Sequence, residues 1–295
     1  MKGLLMVLAA MVALVGGPAS AEWQKVLGPE ALAGLERAVV IDIRSPKAYA
    51  AGRISGALSA PYSTWRGPKD NPGRRLSDSA LTERLQSLGL TRESRVVVTH
   101  QGSSETDFGA AARVYWTLKS AGLTEIAILN GGVAAWVTAG KPLGTGPTPA
   151  VERTAARFVM AKDWMIDRAG VADVLAGRRQ AIMVDARPAA FFRGEKKHDG
   201  AAAAGTLKNA LNITHDSWFR GPTTEIVTGP KVLEIAKAAG YRAGAGELVS
   251  FCNTGHWAAT NWFALSELAG IEGVKLYPES VVGWSQAGGV LVPGG

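Results

Sequence analysis

The chain contains one cysteine, Cys252, and its surroundings are typical of a reactive thiol. The apolar residues 248–251 predict a strand that ends just before Cys252, and a helical pattern begins at about Ala258. Gly255, in the loop between them, allows a backbone turn that a side chain would resist. A tight loop that opens a helix turns successive N–H groups inward, which suits an anion such as a thiolate. We therefore expect Cys252 to be a nucleophile; the alternative is a buried structural thiol.

The residues after Cys252 form the predicted substrate-binding loop. They are Asn253, Thr254, Gly255, His256 and Trp257. A free cysteine has a pKa of about 8.5, and keeping it mostly ionised at pH 7 takes roughly 2.7 kcal/mol. A helix terminus contributes about 0.3–1 kcal/mol. Hydrogen bonds from loop amides, roughly 1.5–3 kcal/mol each, must therefore supply most of the stabilisation.

Two side chains of this loop leave alternatives open. His256 is its only titratable group; it either donates a hydrogen bond to an anionic substrate or faces solvent as a spacer. Trp257 either forms a wall of the substrate pocket or packs against the first turn of the helix.

The chain repeats itself once, with a period of roughly 150 residues. In "AVVIDIRSPKAYAAG" (38–52) and "AIMVDARPAAFFRG" (181–194) a buried strand ends in Asp-x-Arg, at Asp42/Arg44 and Asp185/Arg187. Later segments also recur in order, among them "LNGGVAAW" (129–136) and "LYPESVVGW" (276–284). Such a long period indicates a duplicated domain, since solenoid repeats are much shorter.

Both halves alternate short apolar runs with amphipathic stretches. The predicted strands are Val39–Ile43, Arg95–Thr99, Ile126–Leu129, Ala181–Asp185, Leu248–Phe251 and Val274–Tyr277. This alternation predicts an α/β fold in each half, with a parallel sheet flanked by helices on both faces. Ligands bind such sheets beyond the carboxyl ends of the strands, where Cys252 is expected. The predicted domains are residues 22–146 and 158–295, joined by a linker at 147–157 that is rich in Pro and Thr.

These segments together resemble the tandem-domain rhodaneses, the family of thiosulfate and 3-mercaptopyruvate sulfurtransferases. The resemblance rests on the Asp-x-Arg strand ends, "GRISGA" (52–57), "AARVYWTLKSAG" (111–122), "LNGGVAAW" and "CNTGHW" (252–257), in this order. It implies two α/β domains, an inactive first one and a catalytic cysteine in the second. His100 holds in the first half the place that Cys252 holds in the second.

The resemblance also implies a reaction, the transfer of sulfane sulfur through a Cys252 persulfide. The donor would be a small anion such as thiosulfate, and the acceptor cyanide or a thiol, including a protein thiol. No metal or organic cofactor is implied. Four scattered histidines and one cysteine do not make a zinc site either.

Two features depart from the pattern of the family. Rhodanese loops that favour thiosulfate commonly carry basic residues just after the cysteine, whereas Asn253 and Thr254 are uncharged. Arg187 matches a family position near the loop, where it either binds a sulfonate-like group or braces the loop by pairing with a carboxylate. Arg44, its counterpart in the cysteine-free half, favours bracing.

Other functions fit less well. A cysteine phosphatase needs an arginine six residues after its nucleophile, and Ala258 stands there. The net charge of +7 is dispersed, which does not match a nucleic-acid interface. The remaining alternative is a non-catalytic sulfur carrier or partner-binding module.

The first residues predict export. Met1-Lys2 is basic, Leu4 to Val15 is almost wholly apolar, and Ala19-Ser20-Ala21 is a cleavage site of small residues. We expect a signal peptide over residues 1–21, cut after Ala21, because so short an apolar run cannot span a bilayer, which takes about 20 residues. The mature protein is then expected to be periplasmic or secreted, without a membrane anchor.

Overall fold

A computed structural model describes residues 23–221, 223–244 and 246–295. The predicted signal peptide lies outside these ranges. No helix within them is both long and apolar enough to cross a bilayer.

The first half folds around a five-stranded, all-parallel sheet with the order β1-β5-β4-β2-β3. Its strands are β1 (Val26–Leu27), β2 (Val39–Asp42), β3 (Leu58–Ser59), β4 (Val96–Thr99) and β5 (Ile126–Leu129). Its helices are α1 (Pro29–Ala33), α2 (Pro46–Ala51), α3 (Asp78–Ser87), α4 (Glu105–Ser120) and α5 (Gly132–Thr138), with a 3₁₀ turn at Tyr62–Trp65.

The second half repeats this plan with a four-stranded parallel sheet of order β7-β6-β8-β9. Its strands are β6 (Ala181–Asp185), β7 (Leu211–Asn212), β8 (Glu247–Phe251) and β9 (Val274–Leu276). Its helices are α6 (Arg168–Leu175), α7 (Ala189–Phe192), α8 (Pro230–Ala238), α9 (Trp257–Trp262) and α10 (Ser280–Gln286). A 3₁₀ turn covers His215–Trp218, and α9 continues as a π-helical segment, Phe263–Leu268.

Helices bury both faces of these sheets, as the strand sequences predict. Along β4, Val96 and Val98 belong to one apolar cluster while Val97 belongs to another on the opposite face. Strands covered on both faces consist of continuous apolar residues, which explains the uninterrupted valines of this strand. The predicted α/β architecture with two parallel sheets is confirmed.

The stretch between α5 and α6 runs along the first half. Thr154 donates a hydrogen bond to the Leu90 carbonyl, and Gln86 of α3 donates to the Ala156 carbonyl. The predicted linker, residues 147–157, lies in this stretch; its exact bounds stay a prediction.

The two halves share one core. Helix α4 packs against α9, and Phe108 of α4 meets Phe263 of the π-helical segment edge-on, with ring centroids 5.6 Å apart. Glu267, also in that segment, accepts a hydrogen bond from Tyr115 and pairs with Lys119. The second half is therefore positioned by the first through apolar and charged contacts.

Each half has the same buried ion pair at the end of an interior strand, β2 in the first half and β6 in the second. Arg44 Nη2 lies 2.6 Å from Asp42 Oδ2 and donates to the Gly52 carbonyl at 2.7 Å. Arg187 Nη2 lies 2.6 Å from Asp185 Oδ2 and donates to the Gly205 carbonyl at 2.8 Å. In both halves the pair ties the strand end to a glycine that lies beyond the following helix, α2 or α7.

We predict that Arg187→Gln and Arg44→Gln each lower the free energy of unfolding by about 3–5 kcal/mol, because each leaves a buried carboxylate unpaired. Urea denaturation followed by circular dichroism measures this. The exposed pair Arg75–Asp78 provides the control, since Arg75→Gln should cost less than about 1 kcal/mol. If Arg187→Gln proved as harmless as Arg75→Gln, the bracing role would be wrong.

Candidate active site

Cys252 lies at the carboxyl end of β8, with its backbone held by the start of α10. Its N–H donates to Ser280 Oγ at 3.0 Å, and its carbonyl accepts from the Val281 N–H at 3.0 Å. Ser280 has φ of 52°, a left-handed conformation that is costly for residues other than glycine. The Ser280 hydroxyl also donates to the Tyr277 carbonyl at 2.9 Å, so it anchors the cysteine backbone rather than the sulfur.

The sulfur itself is enclosed. Cys252 is 1% exposed and belongs to the apolar cluster that the two halves share. Loop amides were expected to hydrogen-bond the thiol, yet no donor among the described residues reaches Sγ.

The loop nevertheless presents a row of free N–H groups. Those of Asn253, Thr254, Gly255 and His256 have no acceptor within the described ranges of the chain. The carbonyls of the same loop are engaged elsewhere. The Asn253 carbonyl accepts from the Val282 N–H at 3.0 Å, and the carbonyls of Thr254 and Gly255 face the first half. In a trans peptide the N–H points opposite to the preceding carbonyl, so the Gly255 and His256 N–H groups point away from the first half.

Two arginines of the first half hold these carbonyls. Arg66 Nη2 donates to the Thr254 carbonyl at 2.8 Å, and Arg113 Nη1 donates to the Gly255 carbonyl at 3.1 Å. Gly255 has φ of 67°, and a Cβ there would overlap Arg113 Nη1 and the Pro278 carbonyl oxygen. Only glycine therefore fits this position of the loop.

Arg113 is a buried cation in α4. It is 1% exposed, donates from Nη2 to the Gly73 carbonyl at 2.9 Å, and lies over the Trp116 ring at 4.8 Å. Burial, reinforced by Arg66 nearby, lowers the pKa of Arg113 to about 9, while the negative forms of Tyr62 and Cys252 favour its charge. A buried charge without a counterion typically costs several kcal/mol of stability. We therefore expect the charge of Arg113 beside the loop to have a function.

His256 turns toward the first half. Its Nε2 donates to the Thr106 carbonyl at 2.8 Å, which leaves Nδ1 to accept from the Tyr62 hydroxyl at 2.9 Å. Tyr62 in turn accepts from Arg66 Nη1 at 2.8 Å. Burial, together with the charge of Arg66, lowers the pKa of His256 to about 3, so the ring is neutral near pH 7. The ring is thus a domain contact, neither a solvent-facing spacer nor a donor engaged at the sulfur.

Trp257 packs at the first turn of α9, one of its two predicted roles. Its ring stacks on His215 with centroids 4.5 Å apart, and its Nε1 donates to Thr106 Oγ1 at 3.2 Å. The Phe191 ring meets it edge-on, with centroids 6.3 Å apart. Burial lowers the pKa of His215, which favours a neutral ring in this stack.

Arg187 reaches the loop only through Asn253. Its Nη1 lies 3.4 Å from Asn253 Oδ1, while the rest of the guanidinium is engaged by Asp185 and the Gly205 carbonyl. Among the two predicted roles, this geometry favours bracing. Substrate contact by Arg187 stays a prediction.

Sequence reasoning missed the first-half contribution to this loop. Tyr62, Arg66 and Arg113 come from segments 142 to 194 residues away in the chain. One signal was present: Arg113 interrupts the otherwise apolar run "FGAAARVYW" of α4, where a charge is unexpected.

The first half has a matching but thiol-free site. His100 follows β4 as Cys252 follows β8, and it borders a cavity of about 350 Å³ together with Arg44, Tyr62, Asp107 and His256. Neither ring nitrogen of His100 has a hydrogen-bond partner among the described residues. Burial lowers its pKa to about 4, so this site holds a neutral ring in place of a nucleophile.

Comparison with known proteins identifies both halves. The family model of the rhodanese-like domain matches residues 29–139 and 169–287. A Mycobacterium tuberculosis protein named "Putative thiosulfate sulfurtransferase" is 26% identical, over 83% of this chain and 86% of that protein. A protein of the same name from Synechococcus elongatus is 28% identical, over 82% and 75% of the two chains. The "Sulfur carrier protein TtuD" of Thermus thermophilus is 26% identical, over 84% and 87%.

Solved structures agree on the fold. The anaerobic ergothioneine biosynthesis enzyme of Chlorobium limicola superposes with a TM-score of 0.79 at 20% identity, covering 92% of this chain and 70% of that one. A structure of EanB with a cysteine persulfide, in a tetrahedral intermediate state with ergothioneine, gives the same TM-score at 18% identity, covering 92% and 71%. With two matching domains that span most of its length, the chain belongs to the rhodanese-like family of sulfurtransferases.

Proposed function

We propose that this protein moves a sulfane sulfur from thiosulfate, or a related small anion, to a nucleophilic acceptor through a persulfide on Cys252. One observation carries the proposal. The only cysteine lies at the carboxyl end of a central strand, and four successive N–H groups without an acceptor in the described chain follow it.

In the first half-reaction the Cys252 thiolate attacks the outer sulfur of thiosulfate. A new sulfur–sulfur bond forms at Sγ as the sulfur–sulfur bond of thiosulfate breaks. Sulfite leaves with the electron pair, and the enzyme keeps a persulfide anion. No external oxidant or reductant is needed, because the sulfane sulfur is transferred between two nucleophiles.

In the second half-reaction the acceptor attacks the outer sulfur of the persulfide. Cyanide would leave as thiocyanate and regenerate the Cys252 thiolate. A thiolate acceptor would leave as a persulfide of its own. Two half-reactions on one cysteine give ping-pong kinetics.

The loop suits the persulfide better than the resting thiol. Sγ itself has no hydrogen-bond donor in the described chain. In a persulfide the outer sulfur lies about 2.05 Å beyond Sγ. The N–H groups of residues 253–256 have no acceptor in the described chain and are available to an anion, and bonds from amides to an anion contribute roughly 1.5–3 kcal/mol each. Because Cys252 is 1% exposed, donor entry also requires the covering side chains to move.

His256 acts here as a neutral contact between the halves rather than as an acid. Its two ring nitrogens are both engaged by the first half, at Tyr62 and Thr106. Protonation would replace the acceptor at Nδ1 by a donor and place a positive charge near Arg66.

A second candidate is a sulfur carrier that delivers only to a partner protein. The enclosed sulfur and the uncharged loop favour it, and one relative bears the name of a sulfur carrier. Turnover distinguishes the two, since a carrier forms the persulfide but does not use cyanide. We also propose that either activity takes place outside the cytoplasm, on the strength of the apolar leader sequence.

Intact-mass spectrometry after incubation with thiosulfate tests the first half-reaction. We expect a gain of one sulfur atom, about 32 Da, that cyanide removes. Cys252→Ser should abolish this gain and nearly all thiocyanate formation, because no other thiol is present in the sequence. His100→Ala, at the matching place in the first half, should retain both. Absence of the mass gain in the wild type would refute the proposal.

The pKa of His256 predicts how stability depends on pH. A histidine that titrates near ~6.5 when unfolded and near 3 when folded binds its proton mainly in the unfolded state between these values. Stability must therefore fall as the pH drops from about 6.5, by up to about 1.4 kcal/mol per pH unit for each such group. His100 contributes with the same sign above its pKa of about 4. His256→Gln should flatten the stability curve measured by urea denaturation between about pH 4 and 6.5, and an unchanged slope would contradict the assignment.

A further inference from the structure

We propose that Arg66 and Arg113 of the cysteine-free first domain supply the positive charge, and with it the preference for an anionic sulfur donor, that the Cys252 loop lacks. This inference rests on the proposed function for the identity of the donor. It assigns a role in the same site to a domain without a nucleophile.

The loop itself carries no cation. Asn253 and Thr254 are uncharged, and His256 is held neutral by its contacts with Tyr62 and Thr106. Arg187, which contacts Asn253 of the loop, is neutralised by Asp185 at 2.6 Å. An anionic donor approaching Cys252 therefore finds no unpaired positive charge on the loop or on the end of β6.

The first half provides two such charges. Within residues 23–221, 223–244 and 246–295, Arg66 donates only to the Tyr62 hydroxyl and the Thr254 carbonyl, and Arg113 only to the Gly73 and Gly255 carbonyls. No carboxylate of the described residues forms an ion pair with either guanidinium, and the two cations lie close enough to oppose each other's charge. Arg113 lies close enough to Cys252 for a negative charge on that sulfur to favour the charged guanidinium.

Such a pair of cations lowers the stability of the folded protein when no anion is bound. Arg113 is 1% exposed, and carbonyl oxygens satisfy its hydrogen bonds without cancelling its charge. An anion bound at the sulfur would compensate that charge. The arrangement thus favours occupancy of the site by thiosulfate, by sulfite or by the persulfide anion over a neutral molecule.

Arg66 and Arg113 also position the loop. By holding the Thr254 and Gly255 carbonyls they direct the following two N–H groups away from the first half. Loss of either arginine therefore removes a positive charge and also removes a hydrogen bond that orients a peptide group of the loop. The test must separate these effects.

Alkylation of Cys252 by two reagents of similar size separates them, because iodoacetate is anionic and iodoacetamide is neutral. We expect the ratio of their rate constants to fall about fivefold to tenfold in Arg66→Gln and in Arg113→Gln, at low ionic strength. Arg113→Lys, which keeps the charge but not the paired hydrogen bonds, should restore the ratio to within about twofold of wild type. A structural defect alone would change both rates together and leave the ratio unchanged.

Arg53→Gln is the matched control. Arg53 is also buried, at 5% exposure, and donates to two carbonyls, those of Gly146 and Pro147, without contacting the loop. The control should leave the ratio unchanged. If Arg113→Gln fails to fold, the half-buried Arg66→Gln decides the result by itself.

An unchanged ratio in Arg66→Gln would overturn this inference, as would a wild-type thiol that neither reagent reaches. The proposed function fails by a different result, the absence of a persulfide mass in the wild type. Alkylation does not depend on sulfur transfer, so the two failures are distinguishable.

Discussion

The active-site loop depends on the hydrogen bond from Arg113 to the Gly255 carbonyl, which joins the first domain to the second. Arg113 brings into the core a charge that no carboxylate in the described part of the chain neutralises, a situation that ordinarily costs several kcal/mol. Two carbonyls and the face of Trp116 offset part of that cost. The same contact requires glycine at position 255, because no side chain fits between Arg113 and the Pro278 carbonyl. Both domains therefore shape the loop that follows Cys252, although only one of them contains a thiol.

The duplication shows which parts of the fold are structural and which belong to the site. The Asp-x-Arg pair is the same in both halves, down to a hydrogen bond from Nη2 to a glycine carbonyl. The pair therefore stabilises the strand end both in the half that contains Cys252 and in the half that has no cysteine. At the start of the helix after the last strand the halves differ: Gly132 has φ of 60° in the first, and Ser280 has φ of 52° in the second. Serine accepts the backbone strain there, and its hydroxyl gains the hydrogen bond to the Cys252 amide.

The sequence predicted what depends on local pattern. The strand over Ile126–Leu129 was predicted to the residue, and that over Val274–Tyr277 to within one, because apolar runs bounded by turns are a short-range signal. The strand–loop–helix setting of Cys252 followed from the same pattern together with one glycine. The orientation of His256 and the contribution of Arg66 could not be predicted from this pattern, because both depend on contacts between segments nearly 200 residues apart. The expected hydrogen bonds from amides to the thiol were wrong for the resting sulfur, because the turn fixes the direction of the N–H groups but not their distance from Sγ.

The lone cysteine has a chemical consequence for the proposed cycle. A persulfide next to a second thiol can be discharged within the same chain, leaving a disulfide and releasing the sulfur as sulfide. Here the sequence contains no second thiol, so a persulfide on Cys252 can pass its sulfur only to a molecule from outside. Burial of Cys252 at 1% exposure adds kinetic protection, because oxidants must displace the same side chains as the donor. The proposed storage of sulfur between two half-reactions needs both properties, and the charge selection that we propose for Arg113 then acts only on molecules that are able to enter.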